Sequence, residues 1–202
     1  MNLAIVTGTT RGLGASLADA FEAVGWQIER LDRPGFDLER LNLSEIDDRF
    51  SRFDHVDRAV FINNAATHHI GEASSLQPED VAREITINVA SPIAVISAFL
   101  RRFPSGEIAH VTSAAATLAF PHWSLYSAGK AAMEGYLRSI EAEGVKVHLL
   151  NPGAVDTDMQ KAIRETEFPG VDAFRTMKLK APAIVAKALV WKIERATESD
   201  AP

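Results

Sequence analysis

The first 25 residues constrain the fold most strongly. Residues 3 to 7 (LAIVT) form a short apolar run that stops at a glycine, which is typical of a strand buried on both faces of a parallel sheet. Leu13, Leu17 and Phe21 then follow with helical spacing, and Gly25 suits the end of that helix. The chain therefore begins with a strand, a glycine-rich turn and a helix.

The same alternation continues along the chain. Further strands are predicted at residues 26 to 31, 58 to 62, 107 to 112 and 146 to 150, with at most a very short one near residues 36 to 38. Helices are predicted at residues 44 to 53, 78 to 100 and 124 to 143, and an amphipathic stretch begins at residue 181. This alternation predicts an α/β fold of the Rossmann type, a doubly wound parallel sheet of about six strands with helices on both faces.

Composition favours one domain, residues 1 to 202, and excludes several function classes. The chain is 47% hydrophobic and 24% charged, as expected for a soluble domain with one sizeable core. With 27 acidic against 21 basic residues and no basic cluster, nucleic acid is not an expected partner. The absence of cysteine excludes disulfides and thiolate sites and agrees with a cytoplasmic location. No segment looks like an export signal or approaches the ~20 apolar residues of a membrane span, so no membrane association is expected.

The turn TGTTRGLG, residues 7 to 14, carries the first functional signal. Gly8, Gly12 and Gly14 leave the backbone N–H groups and the helix N-terminus accessible to a pyrophosphate. Asp32 lies 18 residues after Gly14, at the end of the second predicted strand, where a carboxylate accepts hydrogen bonds from an adenosine ribose. The sequence therefore predicts a dinucleotide site.

The choice between NAD and NADP stays open at this point. Asp32 favours NAD, whereas Arg33 and Arg11 carry guanidinium groups that suit a ribose 2′-phosphate and therefore favour NADP. A carboxylate repels that phosphate unless it rotates away or pairs with an arginine. Together, these residues slightly favour NAD over NADP.

The segment YSAGK places Tyr126 and Lys130 about one helical turn apart, on the same face of a helix. A phenol with a reference pKa of about 10 exchanges protons near neutrality only if its phenolate is stabilised, which a lysine ammonium does. Ser113 follows the strand at residues 107 to 112, at the sheet edge where parallel sheets bind ligands. These residues predict a carbonyl site in which Tyr126 is the acid of reduction and the base of oxidation, and Ser113 orients the carbonyl.

Together with NNAA (63 to 66), Asn88 and NPGAVDT (151 to 157), these elements resemble, in order and spacing, the short-chain dehydrogenase/reductase family. The resemblance covers about residues 1 to 160, and residues 151 to 166 most resemble the sepiapterin reductase and benzil reductase-like branch. It implies NAD(P)-dependent hydride transfer to or from a carbonyl or secondary alcohol. The alternative is a non-catalytic NAD(P)-binding redox sensor or regulatory partner, which would not require the Ser, Tyr, Lys and Asn set.

The resemblance also assigns residues to roles. Asn88 would anchor a water of a proton relay that reaches Lys130, and Pro92 agrees with this because its missing N–H leaves the Asn88 carbonyl without a helical partner. Asn63, Asn64 and Ala65 are expected to run along the adenosine side and the central sheet. The residues assigned to the cofactor are Gly8, Thr10, Arg11, Gly12, Leu13, Gly14, Asp32, Arg33, Asp37, Asn64, Ala65, Ala66, Tyr126, Lys130, Pro152, Gly153, Val155 and Thr157.

Residues 154 to 180 correspond to the segment that covers the substrate in this family. Phe120, Trp123 and Met159 are the candidate substrate contacts, although large aromatic residues are equally suited to the core. His68 and His69 are adjacent in a loop and are not expected to bind a metal. The family's seventh strand has no counterpart before residue 202, so we expect either a compact variant of the fold or an exposed edge on the last strand that another surface must cover. A homodimer through the helices at 78 to 101 and 124 to 143 is predicted.

Overall fold

The sheet contains five parallel strands in the order β2-β1-β3-β4-β5 in the computed structural model, which describes residues 1–196. The strands are β1 (Asn2–Thr7), β2 (Gln27–Leu31), β3 (Arg58–Asn63), β4 (Glu107–Val111) and β5 (Val147–Leu150). The strand order reverses next to β1, which opens a crevice at the carboxyl ends of the strands. The predicted Rossmann-type α/β fold is confirmed.

Helices cover both faces of this sheet. They are α1 (Gly12–Glu22), α2 (Leu43–Ser51), α3 (Pro78–Ile85), α4 (Ser91–Arg102), α5 (Ser124–Ala142), α6 (Asp158–Glu165), α7 (Val171–Thr176) and α8 (Pro182–Arg195). On one face, α2, α4 and α5 bury Phe50, Phe99 and Leu137 against the sheet. On the other, α1 and α8 bury Phe21 and Leu189, which is why the segment from residue 181 is amphipathic.

The very short strand for which the sequence left room near residues 36 to 38 does not form. Leu38–Arg40 form a single 3-10 turn, and the Asp37 carboxylate caps it by accepting a hydrogen bond of 3.0 Å from the Glu39 N–H. Aspartate favours such local pairing with the backbone over a strand ladder. The sheet therefore has five strands instead of about six, and no described residue pairs with the outer edge of β5.

The long helix predicted from residue 78 is interrupted just before Pro92, as the missing N–H of this proline led us to expect. Thr86–Ala90 form a π-helical turn between α3 and α4, because Pro92 has no N–H to continue the normal ladder. Pro78–Arg102 is long and apolar enough to cross a membrane by length and composition, unlike the sequence expectation. Val95, Ile96 and Phe99 of this run are nevertheless buried against the sheet.

A buried ionic group ties α8 to the amino-terminal end of the sheet. Arg58 donates to Glu107 through Nε at 2.7 Å and through Nη2 at 3.0 Å, and its Nη2 also donates to the Ile193 carbonyl at 2.8 Å. His148 Nε2 lies 2.7 Å from Glu107 Oε2. Burial alone would raise the pKa of Glu107, but hydrogen bonds and charge from His148 and Arg58 outweigh it and lower that pKa to about 2.

Replacing Glu107 by glutamine is therefore expected to lower the free energy of unfolding by about 1–3 kcal/mol at pH 7, because Arg58 and His148 lose the buried carboxylate that both contact, and Glu194, at 3.4 Å, is the carboxylate that still faces Arg58. The difference in free energy of unfolding between wild type and E107Q is fully present above the ordinary carboxyl pKa of 4.5. It disappears as the pH falls from 4.5 towards about 2, because Glu107 then becomes protonated in the folded protein. Urea unfolding of both proteins at pH 7 and pH 3 measures this. Glu79→Gln, an exposed change, should stay within about 0.5 kcal/mol of wild type. An E107Q deficit independent of pH would contradict the ionic explanation.

Candidate active site

The turn between β1 and α1 presents backbone to a crevice. Gly8 and Gly12 have φ of 72° and 60°, which side chains other than glycine rarely adopt. A Cβ at Gly14 would lie 1.9 Å from the Gly8 carbonyl oxygen, so the helix and the turn touch through this residue. No side chain caps α1 at Arg11. Its first N–H groups therefore keep their capacity to bind a pyrophosphate, and the turn fits a dinucleotide.

Asp32 follows β2 and is held by the same turn. Its Oδ1 accepts from the Thr9 N–H at 2.6 Å, and its Oδ2 accepts from the Thr9 hydroxyl. Arg11, on the rim, forms an ion pair of 3.1 Å with Asp158. Arg33 is exposed beside Asp32. The crevice thus places a fixed carboxylate next to the exposed guanidinium of Arg33.

The loop after β3 lies on the other side of the glycine turn. Asn64 Nδ2 donates to the Thr7 carbonyl at 2.9 Å and to the Gly8 carbonyl at 3.3 Å, which locks the loop to the turn. Asn63 is the last residue of β3 and lies on the central-sheet side of this loop. Its side chain is buried and lies 3.0 Å from His110 Nδ1, because strand residues alternate between faces and Asn63 points into the core.

Ser113 and Tyr126 form the polar centre of the crevice. Ser113 follows β4 and accepts a hydrogen bond of 3.2 Å from the Ala115 N–H. Tyr126, on the first turns of α5, is 7% exposed and hydrogen-bonds the Ser113 side chain. Burial raises the pKa of Tyr126 to about 12, the Ser113 hydrogen bond opposes this rise, and the charge of Glu84 adds to it. The phenol therefore keeps its proton at neutral pH.

Lys130 lies one turn further along α5 and is buried. Its Nζ donates to the Val111 carbonyl at 2.7 Å and lies 5.7 Å from the centre of the Tyr126 ring. Burial lowers the pKa of Lys130 to about 8, and the Glu134 carboxylate opposes that change. The predicted lowering of the tyrosine pKa by Lys130 is not seen in this arrangement, since Lys130 faces Val111 and burial dominates at Tyr126.

Asn88 lies one layer behind this centre, in the π-helical turn. Its Oδ1 accepts from the Thr67 N–H and its Nδ2 donates to the Thr67 carbonyl, both at 2.9 Å. Asn88 Nδ2 also contacts Glu84 Oε1 at 3.3 Å. Asn88 thus fixes the loop after β3 and does not line the crevice itself.

Two buried carboxyl groups near the site were missed by the sequence analysis. Glu84 contacts Asn88, and Glu134 accepts from the Thr112 hydroxyl at 2.5 Å while supporting the charge of Lys130. Both stand four residues from a predicted site residue. That helical spacing is the signal which could have identified them.

The turn after β5 and the following segment complete the walls. Gly153 has φ of 69°, and Thr157 caps α6 by accepting from the Gln160 N–H at 3.3 Å. Aromatic rings close the other end, where Trp123 stacks on Phe174 with centroids 5.3 Å apart and Phe120 lies 6.0 Å from Trp123. This end of the crevice is largely apolar.

These parts enclose one cavity of about 930 Å³. Every residue assigned to the cofactor lines it, namely Gly8, Thr10, Arg11, Gly12, Leu13, Gly14, Asp32, Arg33, Asp37, Asn64, Ala65, Ala66, Tyr126, Lys130, Pro152, Gly153, Val155 and Thr157. The candidate substrate residues Phe120, Trp123 and Met159 line it as well, and so does Ser113. Their roles stay predictions. Within residues 1–196, no group of three or more His, Asp or Glu side chains is arranged as a metal site.

Comparisons with known proteins agree with this geometry. A family model described as short chain dehydrogenase matches residues 42–168. Benzil reductase ((S)-benzoin forming) of Bacillus subtilis (strain 168) is 27% identical over 233 residues, covering 98% of this chain and 96% of that protein. Sepiapterin reductase of Bos taurus is 36% identical over 121 residues, covering 54% of this chain and 45% of that protein, so this similarity spans about half of each.

Solved structures show the same architecture. The crystal structure of the KRED1-Pglu enzyme superposes with a TM-score of 0.86 at 22% identity, covering 98% of this chain and 95% of that one. At this identity the likeness supports the fold, whereas the family model supports membership. The chain belongs to the short-chain dehydrogenase family and is an oxidoreductase that uses NAD or NADP to interconvert carbonyl and alcohol groups.

Proposed function

We propose that this protein is a carbonyl reductase in which Tyr126 donates the proton, Ser113 orients the carbonyl and Lys130 assists both. The observation that carries the proposal is that these three side chains share one cavity with the glycine turn at Gly8 to Gly14. The bound nicotinamide supplies the hydride. The chain's own residues then have to bind, orient and manage one proton.

The proton is held at the Tyr126 hydroxyl. Because Ser113 hydrogen-bonds that phenol, both hydroxyl groups can contact one carbonyl oxygen, which polarises it for hydride addition. Lys130 provides a buried ammonium that favours the phenolate left after proton donation and that can hold ribose hydroxyls. We assign to the turn that contains Asn88 the binding of a relay water, through which a proton would return towards Lys130.

The substrate class is an aromatic ketone or diketone. Phe120, Trp123 and Phe174 form the wall beside Tyr126, and Met159 and Met177 from the segment 154 to 180 line the same cavity. Such a wall binds flat rings through offset and edge contacts. Residues 154 to 180 accordingly cover the substrate. The similarity to a protein named benzil reductase supports this class.

The direct test is turnover of a carbonyl panel. Purified protein is titrated with NADH and NADPH, and absorbance loss is then followed with benzil, aryl monoketones, pterin-like carbonyls and aliphatic ketones. Oxidation of the cofactor by aryl ketones, faster than by aliphatic ones, is expected. Tight cofactor binding without turnover of any carbonyl would instead support a redox sensor, and no binding of either cofactor would overturn both.

We infer a preference for NAD from the crevice beside β2. The Asp32 carboxylate is fixed by two hydrogen bonds from Thr9, so its rotation away from a 2′-phosphate would break both. Arg11 is already paired with Asp158, which leaves Arg33 as the guanidinium that would favour NADP. A fixed carboxylate beside one exposed guanidinium favours the free 2′-hydroxyl of NAD over the 2′-phosphate of NADP.

Replacing Asp32 by asparagine should raise kcat/KM for NADPH relative to NADH by about 10-fold, because it removes about 1.4 kcal/mol or more of charge repulsion while keeping an acceptor for Thr9. Steady-state kinetics with both cofactors measure the ratio. Asp37→Asn, at the neighbouring wall, is the matched control and should change the ratio less. An unchanged ratio in D32N would contradict the assignment of Asp32.

The remaining proposals concern assembly and location. Exposed alanines on α5, namely Ala128, Ala131 and Ala132, allow close approach of a second copy, which supports a homodimer through the long helices. Sedimentation of wild type and Ala131→Glu tests this, with dissociation expected in the variant.

A cytoplasmic location remains the proposal from the absence of cysteine.

A further inference from the structure

Arg83 is a cavity-lining arginine that the proposed chemistry does not use. It lies on α3, one helical turn before Ile87, which lines the cavity as well. Its guanidinium joins two walls. Nε donates to the Glu39 carboxylate, in the turn after β2, at 3.3 Å, and Nη1 donates to the Thr67 hydroxyl, in the loop after β3, at 3.4 Å. An arginine that joins both walls of a cofactor cavity is placed to contact what the cavity holds.

The neighbouring residues indicate which part of a dinucleotide lies beside Arg83. The nicotinamide has to meet Tyr126 and Ser113, the pyrophosphate meets the glycine turn, and the Asp32 carboxylate accepts from the adenosine ribose. The adenine ring is therefore expected beyond Asp32, between the 3-10 turn Leu38–Arg40 and the loop after β3. These are the two walls that the guanidinium joins.

The side chains at this end of the cavity suit a flat heteroaromatic ring. Leu38, Ala66 and Ile87 supply apolar surface, whereas Arg83 supplies a planar cation whose side chain is 51% exposed at the rim. A guanidinium plane stacks on a nucleobase through dispersion and cation–π attraction. Because its two hydrogen bonds already restrict the guanidinium, less side-chain entropy is lost when a ring binds.

We propose that Arg83 binds the adenine ring of the cofactor by stacking its guanidinium on the ring face. The proposal rests on the proposed oxidoreductase function and adds a cofactor-binding residue on α3. Adenine is common to NAD and NADP, so Arg83 contributes equally to the affinity for both. A 2′-phosphate is the other group that an arginine here could bind, but the Glu39 carboxylate beside the guanidinium repels a phosphate.

The test is Arg83→Gln, followed by binding instead of turnover. The probes are NADH, NADPH and ADP-ribose, the last of which keeps the adenosine and the pyrophosphate but has no nicotinamide. R83Q is expected to raise the Kd of all three by the same factor, about 3–10-fold, which is the order of one cation–π contact. Arg83→Lys should restore little of this loss, because lysine keeps the charge without the planar group. Arg40→Gln, at an exposed position outside the cavity lining, is the matched control and should leave each Kd within about 2-fold of wild type.

Other patterns of loss would overturn the proposal. A loss confined to NADPH would make Arg83 a ligand of the 2′-phosphate, full recovery in R83K would reduce its role to charge, and unchanged Kd values would leave it a surface ion pair.

Two further measurements separate stacking from a structural role. The urea midpoint of the cofactor-free protein should be the same in R83Q and wild type, and the KM for the carbonyl substrate at saturating NADH should not change, because Tyr126 lies at the nicotinamide end. A lower urea midpoint together with weaker binding would assign the loss to the fold and overturn the proposal. If wild type bound none of the three probes, the cofactor site itself would be contradicted, whereas binding without turnover would count against the reductase function alone.

Discussion

Replacing Tyr126 by phenylalanine is expected to lower kcat/KM for carbonyl reduction by about 1,000-fold while the cofactor still binds. The substitution removes one oxygen and leaves a ring that packs edge-on against Trp123, at a centroid distance of 5.7 Å. The lost hydroxyl is the proton donor beside Ser113, and a positioned general acid contributes about 10²–10⁴-fold. Turnover at saturating cofactor and a cofactor titration by fluorescence separate the two effects.

The chain supplies its own control for this experiment. It has two tyrosines, and the second, Tyr136, lies ten residues further along the same helix α5 and is partly buried. Tyr136→Phe makes the identical chemical change away from the cavity and should leave kcat/KM within about 2-fold of wild type. If Y126F kept more than about a tenth of wild-type activity, another group would have to donate the proton.

The parts of the fold that follow from local pattern were predictable. Buried parallel strands need continuous apolar runs, and residues 3 to 6 and 59 to 62 show them because both sheet faces are covered by helices. The interruption near Asn88 was also predictable, since Pro92 removes a specific N–H from the helix ladder. In both cases the cause lies within a few residues of its effect.

Features that depend on distant packing could not be predicted. The Lys130 ammonium turns to the Val111 carbonyl, and Asn63 pairs with His110, because of neighbours brought together by the sheet order. The burial of Glu84 depends likewise on α5 and the loop after β3; its spacing of four residues from Asn88 places it on the same helix face, but only the packing of that face decides that it is buried while Glu79 is exposed. Burial then decides the pKa values of the site, which is why the tyrosine pKa rises where charge alone suggested a fall.

Replacing Gly14 by alanine is expected to weaken cofactor binding by about 100-fold and to lower the free energy of unfolding by about 1–3 kcal/mol. The added Cβ would lie 1.9 Å from the Gly8 carbonyl oxygen and 2.5 Å from Asn64 Nδ2, where no methyl group fits. The helix must therefore move away from the turn, and the N–H groups that face the pyrophosphate move with it. Calorimetric cofactor titration and urea unfolding measure the two effects.

Helix propensity alone predicts the opposite sign, because alanine stabilises a helix interior by about 0.5–1 kcal/mol relative to glycine. Gly135 of α5 isolates that contribution, since a Cβ there meets nothing closer than an Arg138 nitrogen at 4.0 Å. Gly135→Ala should accordingly raise stability by about that amount and leave cofactor affinity unchanged. If Gly14→Ala behaved like Gly135→Ala, the contact between turn and helix would not be what holds the turn in its binding geometry, and the dinucleotide would have to be held elsewhere along the crevice.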